Sequence, residues 1–292
     1  MIQNVLGIAD KNFVKVNIFS GVNSIQHHFY ENDIVCFVVY DSDELAGIIT
    51  EKELIGAHPN RIIADVMSDK YVCLNGDTYI WELMEIFNTD RELEVVLIKE
   101  KNVIVGFITR IVLKIELGKH IDLLTGLYKN DYIFYYAYKF IMESKEVSII
   151  FMDLDNFGFI NKKYGHINGD KILKSIACII KENIGLDEDI YLCRYAGDEF
   201  AMLTLKPLNE NKILSERLIE SIKSGSFPDE IPVSISIGMA EYRADNLHEE
   251  RDVFELVNKL VNSASLASTK AKSMSSHLFV AESMDDICFN EK

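Results

Sequence analysis

Arg194-Tyr195-Ala196-Gly197-Asp198-Glu199-Phe200 lies between two apolar runs, residues 190–193 and 200–205. The runs read as strands, Gly197 supplies the turn, and the resulting hairpin carries two acids, Asp198 and Glu199, at its tip. Upstream, the apolar strand Val147-Ser148-Ile149-Ile150 leads into Phe151-Met152-Asp153-Leu154-Asp155-Asn156-Phe157, so Asp153 and Asp155 emerge where a buried strand reaches solvent. Between the two lies Tyr164-Gly165-His166-Ile167-Asn168-Gly169-Asp170, which reads as a glycine-rich turn. A helix follows, with Ile172, Leu173, Ile176, Ile179 and Ile180 in one apolar stripe. Acids at a strand end and a hairpin tip suit a hard cation such as Mg²⁺, which takes oxygen ligands and completes its shell with phosphates and water. The plainer reading is that Asp and Glu populate the turns of an acidic chain.

The chain is acidic throughout. Its 292 residues carry 30 Lys plus Arg against 46 Asp plus Glu, a formal charge of -16. Residues 1–121 hold 11 basic and 18 acidic side chains, and residues 122–292 hold 19 and 28. Neither part has the cation excess that would draw a phosphate backbone or an anionic membrane, so no nucleic-acid or membrane partner is expected. At 48% hydrophobic residues the chain can build packed cores, and its length suits about two domains. Five cysteines, Cys36, Cys73, Cys178, Cys193 and Cys288, are scattered without a CxxC pair. Cys178 and Cys193 sit in apolar runs and are expected to be buried thiols of a reducing compartment. With no basic leader and no apolar run near the ~18 residues of a membrane span, a cytoplasmic location is expected.

The first part contains a repeat. Val38-Val39-Tyr40 leads to Gly47-Ile48-Ile49-Thr50, and Leu97-Ile98-Lys99 leads to Gly106-Phe107-Ile108-Thr109, with the glycines 59 residues apart. Each copy reads as helix, strand, polar turn, strand and helix, the helices preceding the hairpins falling near 24–30 and 79–88. In the second of these, Ile80, Leu83, Met84 and Phe87 share a face. The repeat, together with Asp65-Val66-Met67-Ser68 at the start of the second copy, resembles a tandem pair of CBS domains over residues 1–115. The resemblance implies βαββα units and an adenine-nucleotide site. In that family a Thr or Ser followed three residues later by Asp holds the phosphate and ribose. Here the first copy offers Thr50 and Glu53, whereas the second has Thr109 and Val112, which cannot accept a hydrogen bond. A pair serving only as a dimerisation scaffold is the other reading. Residues 116–121, without Pro or a Ser/Gly tract, read as a helical linker.

The second part, residues 122–292, is similar to the GGDEF family of diguanylate cyclases. Asp122-Leu123-Leu124-Thr125-Gly126-Leu127 marks its start, the three acidic motifs follow in order, and Val233-Ser234-Ile235-Ser236-Ile237-Gly238-Met239-Ala240 is a late strand. The resemblance implies an α/β (α+β) architecture whose βαββαβ core is like polymerase palms and nucleotidyl cyclases. It also implies a homodimer joining two GTP into cyclic di-GMP with Mg²⁺ or Mn²⁺. Asp153, the Leu154 carbonyl and Asp198 would then hold the metal, with Glu199 beside Asp198 as catalytic acids. The backbone at Asn156 and Phe157 would meet phosphates, Asn161 and Asp170 would read guanine, and Lys272 would supply a cation.

The chain also departs from that pattern. Gly158 and Ser276 stand where the family has Lys and Arg, Lys162 replaces an Asp, and Ser265 and Thr269 replace Asp and Tyr. Ala196 replaces the first signature Gly, and the Arg-x-x-Asp inhibition motif is absent at Asp187-Glu188-Asp189-Ile190. Charge-assisted phosphate contacts contribute about 1.5–3 kcal/mol each, so losing two of them matters. Two functions therefore follow from the sequence. One is a cyclase controlled by a CBS nucleotide sensor, and the other is a degenerate GGDEF domain that binds GTP or a protein.

Overall fold

Cys36-Phe37-Val38-Val39 and Val95-Val96-Leu97-Ile98 are runs with no polar alternation, the pattern of strands covered on both faces, and all eight residues are buried. The computed structural model describes residues 2–31, 34–243, 252–274 and 276–281. Its chain divides into two units, residues 1–119 and 120–292. Cys288 and the rest of 282–292 lie outside the described residues.

The first unit runs β1 (Phe13–Asn17), α1 (Val22–Glu31), β2 (Cys36–Asp41), β3 (Glu44–Ile49) and α2 (Glu51–Ile55), then β4 (Tyr71–Asn75), α3 (Ile80–Thr89), β5 (Val95–Glu100), β6 (Val103–Thr109) and α4 (Arg110–Lys119). Each half is a three-stranded sheet, β1-β2-β3 and β4-β5-β6, with a parallel pair followed by an antiparallel hairpin. Cys36, Val38 and Ile48 of one sheet pack with Val95, Leu97, Ile104 and Phe107 of the other. On its outer face the first sheet is covered by Val22, Ile25 and Leu54 from α1 and α2.

The halves exchange segments. Asp10 and Phe107 trade two backbone hydrogen bonds of 2.8 and 2.9 Å, while Ser68 and Ile48 trade two of 2.9 and 3.0 Å. The repeated glycines make this possible. A Cβ at Gly47 would fall 2.8 Å from the Ser68 carbonyl oxygen, and one at Gly106 would fall 2.7 Å from that of Asp10. On α3 the buried stripe is Ile80, Trp81, Leu83 and Phe87. Its C-terminus is held by Arg110, whose guanidinium donates to the carbonyls of Phe87, Asp90 and Leu93 at 2.7–2.8 Å. Helix α4 ends at Lys119. Residues 120 and 121, read as helical from sequence, are instead a turn and an isolated bridge: Lys129 N–H bonds the His120 carbonyl, and Ile121 bridges to Tyr128.

The second unit runs α5 (Asn130–Met142), β7 (Val147–Leu154), α6 (Phe157–Tyr164), α7 (His166–Ile184), β8 (Ile190–Ala196), β9 (Glu199–Thr204), α8 (Leu208–Lys223), β10 (Ile235–Tyr242), α9 (Val253–Met274) and β11 (Leu278–Val280). The sheet order is β11-β10-β7-β9-β8, which puts β7 at the centre with antiparallel neighbours β10 and β9. This is the expected βαββαβ core, with α7 and α8 on one face and α5 and α9 on the other. The stripe Ile172, Leu173, Ile176 and Ile180 meets Ile150, Met152, Phe200 and Met202 in one apolar core. The aromatic run on α5 is packed, with Tyr135 and Tyr136 buried.

Two expectations from the sequence are corrected here. Residues 164–170 are not one glycine-rich turn. Only Gly165 (φ 83°) turns, and α7 has begun by His166, so Asn168, Gly169 and Asp170 are helical. Gly169 is needed for close packing, since a Cβ there would sit 2.0 Å from Asn161 Oδ1. Cys178 is also not buried. It faces solvent on α7 while its neighbours Ala177 and Ile180 face the core. The thiols of Cys36 and Cys193 are buried, and burial pushes Cys36 up to about 12. Among the described residues, no helix is long and apolar enough to cross a membrane.

Candidate functional site

Strand β7 is flanked on both sides, so its last residues fix the site. Asp153 pairs in register with Glu199 of β9 on one side and with Ser236 of β10 on the other. The Leu154 N–H donates to the Asp198 carbonyl at 3.4 Å. The strand end and the hairpin tip are therefore stitched together, and Asp153, Asp198 and Glu199 share one rim of the sheet. Gly197 (φ 45°) makes the tip turn, and Arg194 braces it by donating to the Gly197 carbonyl through Nε at 2.9 Å and Nη2 at 2.6 Å.

Lys272 reaches the same rim from α9. A Cβ at Gly238 would lie 2.1 Å from both the Ala264 carbonyl and the Ser268 N–H, so this glycine lets α9 lie directly on β10. The Lys272 ammonium donates to Asp153 Oδ1 at 2.8 Å and to the Leu154 carbonyl at 3.1 Å, and it stands 3.9 Å from Asp155 Oδ1.

The electrostatics follow from this crowding. Burial raises the Asp198 carboxyl above the ordinary aspartate value, and the Asp153 charge adds to it against Lys272 and Arg194. Glu199 is raised by burial, then by Asp153 and Asp198. Like charges converge faster than the one ammonium relieves them, which is the environment a divalent cation suits. The Asp153 and Asp198 carboxylates and the Leu154 carbonyl are hard oxygen donors, so the residues fit a divalent cation such as Mg²⁺ or Mn²⁺. Among the described residues, no group of three His, Cys, Asp or Glu side chains is arranged to hold a metal by itself. Such an ion would take the rest of its shell from phosphate and water.

The residues expected to meet GTP lie in the same unit, on α6 and α7 and the turn before them. Asn156 sits at φ 55° and turns the chain from β7 into α6, where Phe157 begins the helix. The first amides of a helix have no intrahelical acceptor and suit an anion. Asn161 lies on α6 against Gly169, with its Oδ1 buried and without a hydrogen-bond partner. Asp170, next along α7, is exposed. Thr50 and Glu53 belong to the first unit and bond each other. Glu53 Oε2 accepts from the Thr50 N–H at 2.8 Å and from its hydroxyl at 2.6 Å, which caps α2.

Asp155, placed at the strand end by the sequence but given no role there, is anchored from β10. Asp155 accepts from Ser234 Oγ at 2.7 Å and Ser236 Oγ at 2.9 Å, and its N–H donates to the Ser234 carbonyl at 2.9 Å. His277 Nδ1 stands 3.6 Å from Asp155 Oδ2, the oxygen that accepts from Ser234. The signal was present in two alternations: Asp-x-Asp leaving β7, and Ser-x-Ser entering β10.

A five-stranded sheet covered by helices on both faces, with the acids of a strand end and a hairpin tip on one rim, is the βαββαβ architecture expected of the second unit. The chain belongs to the GGDEF family: the model "Diguanylate cyclase, GGDEF domain" matches residues 119–272, and the CBS domain model matches residues 5–60 and 63–113. It is 32% identical over 139 residues to diguanylate cyclase DgcS of Shewanella oneidensis, covering 45% of this chain and 46% of that protein. It is 32% identical over 149 residues to diguanylate cyclase A of Treponema denticola, covering 47% and 39%. The chain thus spans less than half the length of these relatives. Among solved structures, the coiled coil and GGDEF domain of DgcB from Caulobacter crescentus, in complex with c-di-GMP, aligns with a TM-score of 0.50. That alignment has 18% identity and covers 57% of this chain and 88% of that one, a likeness of fold.

Proposed function

We propose that this protein condenses two GTP into cyclic di-GMP under the control of its CBS pair. The observation that carries the reading is the gathering of Asp153, the Leu154 carbonyl, Asp198 and Glu199 on one rim of the sheet, with the Lys272 ammonium seated on Asp153 and Leu154. Asp153, Leu154 and Asp198 would hold the divalent ion, Mg²⁺ or Mn²⁺, which when bound polarises the α-phosphate and acidifies the attacking 3'-hydroxyl. The chain's residues do the rest. Asp170 is an acceptor matched to the N1–H and amine of guanine, which adenine does not present, and the unpartnered Asn161 amide oxygen adds a second acceptor. Backbone amides at Asn156 and Phe157 orient the phosphates. Glu199, whose carboxyl is raised by burial, would be the base that takes the hydroxyl proton.

Two triphosphates must face each other, so the reading requires a homodimer. Thr50 and Glu53 are the proposed edge for the ribose and phosphate of an adenine nucleotide. Both nucleotides are cytoplasmic, and so is the proposed site of action. A second reading is favoured by Gly158, where a Cβ would meet open space, and by Ser276, whose hydroxyl turns to the Leu278 carbonyl. With no cations there, the domain would hold GTP, or a protein partner, without turning GTP over. Incubation with GTP and Mg²⁺ or Mn²⁺, followed by detection of cyclic di-GMP, decides between them. The cyclase reading expects product from the native chain and none from Asp198→Ala, with residual GTP binding in the variant. Undiminished turnover in Asp198→Ala overturns the assignment.

A further inference from the structure

Lys272 donates to the two groups that the proposed function assigns to the metal, the Asp153 carboxylate and the Leu154 carbonyl, and leans toward Asp155 as well. An ammonium offers three donors to hard oxygens and carries one positive charge. It therefore satisfies the same oxygens as a divalent ion, but at 2.8 and 3.1 Å rather than the ~2.1 Å of Mg²⁺. The two cations overlap in space. An ion at that edge has to displace the lysine, and a displaced lysine at that rim points at whatever phosphate the ion brings.

We propose that Lys272 is a built-in placeholder cation. In the nucleotide-free protein it occupies the metal edge and suppresses binding of a bare divalent ion, and it moves from Asp153 to phosphate when the ion arrives with GTP. The inference rests on the reading of Asp153 and Leu154 as the metal edge, but not on turnover. Two features fit a side chain with two positions. Its side chain is 36% exposed, so it has room to swing. Asp155, its more distant neighbour, is held independently by Ser234 and Ser236 and does not need it.

The test is Mn²⁺ binding to the full chain without nucleotide, read from the signal of free Mn²⁺ by electron paramagnetic resonance. Lys272→Met should bind Mn²⁺ about tenfold or more tightly than the native chain, a change of one decade in Kd. Lys272→Arg, which keeps a cation in place, should remain as weak as the native protein. Adding Asp153→Asn to Lys272→Met should abolish the gain. Thermal melts guard against misfolding: Mn²⁺ should raise the melting temperature of Lys272→Met more than that of the native chain. A Lys272→Met protein that binds Mn²⁺ no better than native overturns the inference, as does a gain that survives Asp153→Asn. If the gain appears but the native chain makes no cyclic di-GMP, the placeholder stands and the cyclase reading fails. If the native chain is active and no gain appears, the reverse holds.

Discussion

Arg194 links the hairpin that carries Asp198 to the beginning of its unit. Nη1 bonds both Asp122 oxygens at 2.9 and 3.0 Å while Nε and Nη2 hold Gly197, and Thr125 donates its N–H and hydroxyl to the same Asp122. Burial pushes the Asp122 carboxyl up, but the bonds from Thr125 and Arg194 outweigh it and hold it below the usual aspartate value. A carboxyl with a depressed folded-state pKa contributes stability that is present above the unfolded value and lost as pH falls through the folded one. Asp122→Asn should therefore cost about 1.5–3 kcal/mol near neutral pH, the range for hydrogen bonds to charged groups. The deficit should shrink at about pH 3, approaching the region where native Asp122 protonates. Urea denaturation at both pH values checks it, and a deficit independent of pH would show that the charge is not what Asp122 supplies.

At the scale of elements, the repeat was legible because both copies need the same glycine. An exchanged segment passes within van der Waals range of each hairpin, and only a missing Cβ lets its carbonyl through. Gly106→Ala and Gly47→Ala should each destabilise the first unit by about 1–3 kcal/mol, the usual penalty for forcing atoms into a packed site. Gly118→Ala, which faces open space, should not. Denaturation of the three variants side by side tests this. The strands around the acids were legible too, since apolar runs and a Gly-Asp tip specify them locally. What was not legible depended on distant partners. Gly169 reads as a turn residue until Asn161 is seen to occupy its Cβ position, and Cys178 reads as core until its face of α7 is known. Asp155 gains its meaning from Ser234 and Ser236, some 80 positions away in sequence. Glu53 is a further case, because local bonding to Thr50 already explains it as a helix cap. Glu53→Ala should weaken adenylate binding in calorimetric titration and Val112→Ala should not. Equal affinity in all three proteins would leave Glu53 as a cap only and favour the scaffold reading of the CBS pair.

For the molecule as a whole, the proposed cyclase reading has its acids on one rim of the sheet but no cation at Gly158 or Ser276. A homodimer joining two triphosphates has to neutralise several negative charges in each half-site. Lys272 donates to Asp153 at 2.8 Å, so part of its charge is matched by a carboxylate. Two missing contacts at ~1.5 kcal/mol each weaken GTP binding by about two orders of magnitude, so the native chain should show weak GTP affinity, slow turnover and strong dependence on divalent ion. The structure accepts the repair. A side chain at Gly158 enters open space on the first turn of α6, and Ser276 is exposed with only a 3.2 Å bond to the Leu278 carbonyl to lose. Gly158→Lys combined with Ser276→Arg should tighten GTP binding by about a hundredfold, and it should raise cyclic di-GMP production if Asp153, Asp198 and Glu199 are competent. Measuring affinity and turnover separately matters here. A double variant that binds GTP tightly yet forms no product places the defect in the acids or in how two copies face each other. The domain would then be a GTP receptor rather than a cyclase.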